Sequence, residues 1–416
     1  MSKVLFLCIP SYGHVNPVLG LATELIKWGE EITFFCSNEF KGAIEETGAD
    51  FKSYMDDLNI FGSNAAFQDG GPAKKKRKPV LGFINAVFQP DKFIDNVLVQ
   101  LEDLKFDYLV FSAAYPYANV IARVLDIPAV SSLAVFATQK ELFNKRTGPN
   151  GGSSFIPFKW KIKIIFFFLY RRAFKKVRQS LKEKYHVEIS DDMLNVFMNK
   201  GDLNIIYTSK YFLSNIEGYD DSFIFVGPPI YNKKYEVDFP FEELQGKRVI
   251  YISLGTVFSN YSVEINRIFF ESFGGMDAIV VMAAYDVDLS QYEIPANFRV
   301  RNFVPQLELL KYTSVAITHA GMNSLGDLLY NNVPFVSIPL GADQFYLANR
   351  AAELGATIVL DAKYLNPEIL TASVEKVLTD PAYLENIKKI SNSFTEAGGY
   401  TKAAEEIFKL KKSKGI

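Results

Sequence analysis

Cysteine is almost missing from this chain: there are two among 416 residues, Cys8 and Cys36, each inside an apolar run. Two thiols cannot build a disulfide framework or a cysteine-type zinc site, and reduced thiols suit a cytoplasmic protein. Histidine is nearly as scarce. His14, His186 and His319 leave little for any metal site that needs imidazole. No stretch supplies the roughly 18 uninterrupted apolar residues of a membrane span. The start, MSKVLFLCIP, has a short apolar run that passes straight into a helix pattern, so it reads as a first strand and not as an export signal. A net charge of −2 gives no global reason to expect nucleic acid or another polyanion as partner.

What is present is a long, apolar chain. With 49% hydrophobic residues over this length, two or three domains are expected. The small net charge hides a split. Residues 1–215 carry 27 Lys and Arg against 22 Asp and Glu, net +5; the remainder carries 18 against 25, net −7. The positive excess is local, in Lys74-Lys75-Lys76-Arg77-Lys78 and between residues 159 and 184, where ten basic residues accompany one acid, Glu183.

The recurring pattern is strand, glycine loop, helix. Residues 4–9 form a continuous apolar run, the mark of a strand buried on both faces. Pro10-Ser11-Tyr12-Gly13-His14 breaks it, and Pro17 reads as the first turn of a helix over 17–28. Further strands are expected at 31–36, 51–54, 108–111 and 129–131, with helices at 39–47 and 116–125 between them. The pattern restarts after Val226-Gly227-Pro228-Pro229, with strands at 248–253, 278–282, 299–301, 315–318 and 335–338. Helices at 366–379, 381–394 and 400–412 close the chain. Such alternation predicts an α/β protein of two doubly wound, Rossmann-like domains facing across a cleft. The expected boundaries are 1–222 and 223–397, with a C-terminal helix in 398–416 packing back on the first domain. Residues 55–80 read as a long loop, and 155–185 as an amphipathic helix pair.

The chemistry concentrates at strand ends. Thr318-His319-Ala320-Gly321-Met322-Asn323-Ser324 follows a buried strand and opens a helix, so backbone N–H groups and a close-approach glycine make an anion site. Ser253-Leu254-Gly255-Thr256 is a second such loop. Asp343-Gln344 sets an acceptor beside an amide. Two phosphate loops and a carboxylate–amide pair suit a nucleoside diphosphate carrying a polyhydroxylated group. Taken singly, Gly321 and Asn323 read as turn and cap residues, as most such sequences do.

Together, Phe303-Val304-Pro305-Gln306, the 319–324 run, Asp327 and Asp343-Gln344 resemble the donor signature of family-one UDP-sugar-dependent glycosyltransferases, of the bacterial macrolide and flavonoid type. Gly13-His14-Val15-Asn16-Pro17 is similar to that family's acceptor-side motif. The resemblance implies the GT-B fold. It implies that Phe303, in place of the usual tryptophan, stacks on uracil, with Val304 and Gln306 flanking base and ribose. Gly255, Thr256, His319, Gly321, Asn323 and Ser324 would contact the diphosphate; Asp327, where the family has glutamate, the ribose; Asp343 and Gln344 the sugar. His14 would be the general base. The family's aspartate partner for it is replaced by Ser112, which can fix the tautomer but cannot stabilise imidazolium by charge.

The expectation is therefore an inverting, metal-independent transfer of a hexose, glucose on the Asp343-Gln344 pair, from a UDP-sugar to a hydroxyl of a hydrophobic small molecule. No cofactor beyond that co-substrate is expected. Two rivals stay open. The basic and aromatic stretch 155–185 suits contact with an anionic membrane surface and a lipid acceptor. Ser112 leaves room for a non-catalytic nucleotide-sugar-binding protein. The lysine run at 74–78 imitates a nucleic-acid patch but reads as part of a solvated loop. His186 is assigned no role.

Overall fold

The computed structural model describes residues 1–54, 86–134, 157–189, 198–213, 216–231, 239–255, 263–285, 287–341 and 343–416, with side chains in the long basic helix described from 171 onward. The 55–80 loop, with its lysine run, and Thr256 lie outside the described residues.

Two parallel sheets organise the chain. The first contains β1 (Lys3–Leu7), β2 (Glu31–Cys36), β3 (Asp50–Ser53), β4 (Tyr108–Ser112), β5 (Ala129–Leu133), β6 (Leu203–Ile206) and β7 (Phe223–Phe225), in the order β3-β2-β1-β4-β5-β6-β7. The second contains β8 (Val249–Ser253), β9 (Ile279–Ala283), β10 (Phe298–Arg301), β11 (Val315–Thr318), β12 (Phe335–Ser337) and β13 (Thr357–Val359), ordered β10-β9-β8-β11-β12-β13. The second repeats the first six strands of the first in the same sequence of moves. In each, the order reverses beside the first strand, between β1 and β4 and between β8 and β11, and a crevice opens there at the carboxyl ends. Helices on both faces explain why β4, β5 and β8 are buried at every position.

The expected boundary at 222/223 is wrong by one strand. Phe223–Phe225 pairs with β6 and completes the first sheet, so the chain crosses only after Val226-Gly227. Gly227 (φ +79°) is needed there, because a Cβ would meet the Phe394 carbonyl oxygen at 2.5 Å.

The C-terminal helix Gly399–Lys414 packs on the first domain. Tyr400 fills the space over Gly20 of the helix Tyr12–Lys27, where a Cβ would lie 2.2 Å from the ring. Trp28 packs edge-on to Phe408 at 5.1 Å, and Lys411 pairs with Glu30 at 2.6 Å with both side chains buried.

The 155–185 segment is one helix, Pro157–Tyr185, and not a pair. Phe174, Val177 and Leu181 bury its inner face, and Tyr185 reaches Asp95 (2.8 Å) on the helix Pro90–Leu101. Arg171, Arg172, Lys175 and Lys176 are exposed on its outer face. Among the described residues, no helix is long and apolar enough to cross a membrane.

Candidate functional site

β1 and β4 are neighbours, with Leu7 opposite Phe111, so the end of β4 lies beside the segment that leaves β1. That segment enters a helix at Tyr12, five residues before the expected start at 17. His14 therefore sits on the first helical turn and not in a loop. Its Nδ1 lies 2.8 Å from Ser112 Oγ, at the end of β4. Desolvation lowers the His14 pKa from 6.5 to about 4, so the ring is neutral at neutral pH and able to accept a proton, though weakly basic. Pro17, inside this helix, has no N–H for the carbonyl of Gly13, its i−4 neighbour. That carbonyl instead accepts from Asn323 Nδ2 of the second domain at 3.5 Å, a long bond that spans the cleft.

Across the cleft, β8 and β11 are also neighbours, with Ser253 opposite Thr318. Thr318 Oγ1 accepts from the Ala320 N–H (3.1 Å) and holds Ala320 in the left-handed region (φ 59°). Gly321 then caps the helix Met322–Tyr330, whose first turn has no acidic residue. The glycines of both loops have a use not visible in sequence. A Cβ on Gly255 would lie 2.6 Å from His319 Nε2, and one on Gly321 would lie 2.4 Å away. The imidazole occupies a seat that only glycine leaves open. His319 Nδ1 is buried without a partner, and desolvation lowers its pKa to about 4. Such a ring beside a helix N-terminus can donate to an entering anion.

Deeper in the second domain, Tyr251 donates to Gln306 Oε1 (2.9 Å) and Gln306 Nε2 donates to Asp327 Oδ2 (2.6 Å). Desolvation raises the Asp327 pKa to about 7 despite that bond, and the Asp343 pKa to about 6. Gln344 Oε1 is already used: it accepts from the N–H groups of Leu340 (2.8 Å) and Gly341 (3.0 Å). Of its two polar ends, the amide nitrogen is the one left for a ligand.

These residues share one cavity of about 350 Å³ at the carboxyl ends of both sheets. His14, Gly255, Phe303, Val304, Gln306, His319, Gly321, Asn323, Ser324, Asp327, Asp343 and Gln344 all line it. Ser112 stands behind His14. Tyr12, Tyr251 and Tyr285 also line the cavity and were not singled out from the sequence, where an aromatic beside or within an apolar run reads as core. A larger cavity, about 940 Å³, lies at the amino ends of β4, β5 and β6, opposite the place where doubly wound sheets bind ligands, and holds none of the residues above. Among the described residues, no group of three or more His, Cys, Asp or Glu could hold a metal ion.

Residues 240–396 match the family described as UDP-glucoronosyl and UDP-glucosyl transferase. Over its full length the chain is 30% identical to a Bacillus subtilis (strain 168) protein named uncharacterized UDP-glucosyltransferase YojK, covering 98% of that protein. It is 32% identical to the NDP-glycosyltransferase YjiC of Bacillus licheniformis, over 96% of this chain and 95% of that one. In fold it is similar to the crystal structure of the glycotransferase of kitacinnamycin, with a TM-score of 0.77, 21% identity and 98% of each chain covered.

Proposed function

Because this chain belongs to the UDP-glucoronosyl and UDP-glucosyl transferase family, and is thus a nucleotide-sugar-dependent glycosyltransferase of GT-B fold, we propose that it transfers a hexose, glucose, with inversion from UDP to a hydroxyl of a hydrophobic small molecule. His14 takes the acceptor's proton as the acceptor oxygen bonds to the anomeric carbon. The bond from that carbon to the β-phosphate oxygen breaks, and its electron pair leaves with UDP. The N-terminus of helix Met322–Tyr330, with His319, Asn323 and Ser324, receives the charge. A single displacement inverts the anomeric centre. Asp343 and the Gln344 amide hold sugar hydroxyls, and Asp327 with Gln306 the ribose. In this reading no metal or other cofactor takes part, and the protein works in the cytoplasm.

The observation that carries the proposal is one cavity holding His14, braced by Ser112, opposite the His319 anion site. The test is transfer from UDP-glucose to a panel of phenols and alkyl alcohols, read by mass spectrometry, with the product's anomeric configuration read by NMR. His14→Ala should cost about 10²–10⁴ in rate while UDP affinity stays within a few-fold. A retained configuration, or wild-type rates without His14, would refute the mechanism. Binding of UDP-sugar with no turnover of any acceptor would favour the non-catalytic reading.

A second reading is favoured by the exposed Arg171, Arg172, Lys175 and Lys176 on the outer face of helix Pro157–Tyr185. Their charge suits the anionic inner face of a membrane and a lipid acceptor. Sedimentation with anionic but not zwitterionic vesicles would support it, and no sedimentation with either would remove it.

A further inference from the structure

Two aromatic rings from different domains meet in the cavity. Tyr12 opens the helix Tyr12–Lys27, and Phe303 follows β10. Their ring centroids are 6.4 Å apart and their planes are inclined by 36°. Tyr12 is fixed from behind. Phe40 packs edge-on against it at 5.1 Å, and its phenol hydrogen-bonds the Glu39 carboxylate. The ring cannot swing aside without giving up both contacts.

A flat ring lying between two aromatic faces needs roughly 3.5 Å on each side, or about 7 Å in all. With centroids 6.4 Å apart and planes inclined by 36°, the two rings lean together and leave less than this, so the domains must part slightly and turn the planes towards parallel to admit a base. A bulkier, non-planar group would not fit such a slot. We propose that Tyr12 is the second wall of the nucleobase site, so that the uracil of UDP is held between Phe303 of the second domain and Tyr12 of the first. This rests on the reading above that Phe303 receives the base.

The consequence is a coupling between donor and base catalyst. His14 lies two residues beyond Tyr12 on the same helical turn. A uracil stacked on both rings sets the spacing of the two domains and thereby the position of His14 over the anomeric carbon. Selection at this slot is for flatness, since every base has a stacking face.

Calorimetry with UDP on Tyr12 variants tests the inference. Tyr12→Ala and Tyr12→Leu should each weaken UDP by about 5- to 100-fold, and Tyr12→Phe should stay within about 3-fold of wild type. The fall in uracil absorbance on stacking should shrink in Tyr12→Ala measured at saturating UDP, a change that loosened packing elsewhere would not produce. Thermal melting of each variant checks that it is folded. Unchanged UDP affinity in Tyr12→Ala, alongside a loss in Phe303→Ala, would overturn this inference alone. Unchanged affinity in both would overturn the placement of the base at Phe303.

Discussion

In the proposed mechanism, Ser112 bears on how strong a base His14 can be. A hydroxyl at Nδ1 can fix the tautomer, but the desolvated ring has a pKa of about 4, low for the proton acceptor that the proposed mechanism requires. A carboxylate in the same place would stabilise the imidazolium directly, with a hydrogen bond roughly twice as strong as the neutral one. Ser112→Asp is therefore expected to move the acid limb of kcat/KM to higher pH. It should raise transfer to alkyl alcohols by about 5- to 10-fold and transfer to phenols by less. Phenols, with a pKa near ~10, depend less on the base. A pH–rate profile of the folded variant checks both claims. An unmoved acid limb would show that Ser112 does not set the basicity of His14.

Pro17 shows how an element can be shaped for a partner in another domain. By withholding one N–H, it leaves the Gly13 carbonyl for Asn323, whose amide bridges the cleft while its Oδ1 stays buried and unpaired. An entering diphosphate would offer that amide a charged acceptor in place of a long neutral one. Asn323→Ala and Ser324→Leu should each weaken UDP by about tenfold or more, without changing which acceptors are used. Calorimetry showing wild-type UDP binding in both would count against the diphosphate site. The same helix also marks where sequence reading fell short. Proline usually sits in the first turn, so Pro17 placed the start too late, and His14 was expected in a loop. Strands such as β1, β4 and β8 were legible because parallel sheets covered on both faces demand unbroken apolar runs. β6, β7 and β13 escaped the reading although β12, also of three residues, did not; in β6 it is Asn204 that breaks the apolar run. Of the residues that line the cavity, the two glycine loops and Asp343-Gln344 stood out by type and spacing, and Phe303, Gln306 and Asp327 through the resemblance to the family. The seat of His319, made by glycines on two separate loops, exists only once β8 and β11 lie side by side, and the approach of Tyr12 to Phe303 only once the two sheets are set opposite each other.

At the scale of the whole molecule, the cleft acts on four titratable groups at once, and in two directions. Desolvation lowers His14 and His319 from 6.5 to about 4, and raises Asp327 and Asp343 from 3.8 to about 7 and about 6. As pH falls from 6.5 towards 4, the unfolded chain protonates the two histidines while the folded one does not, so their contribution to stability is lost. Over the same window the folded protein protonates the two aspartates while the unfolded chain does not, so acid favours the fold through them. Two groups pull each way between about pH 6 and pH 4, and the cleft's net effect on stability there is small. Removing one carboxylate should expose the imbalance. Asp327→Asn, which keeps an oxygen for Gln306 to donate to, is expected to melt at or above the wild-type temperature at pH 7.5, where a desolvated charge has been deleted. On acidification to pH 5 its Tm should fall relative to wild type by on the order of a few degrees, because both histidines now face Asp343 alone. Melting curves of the unliganded proteins at the two pH values check this. Parallel profiles would mean that Asp327 keeps its charge in the cleft, and that the Gln306 bond outweighs desolvation.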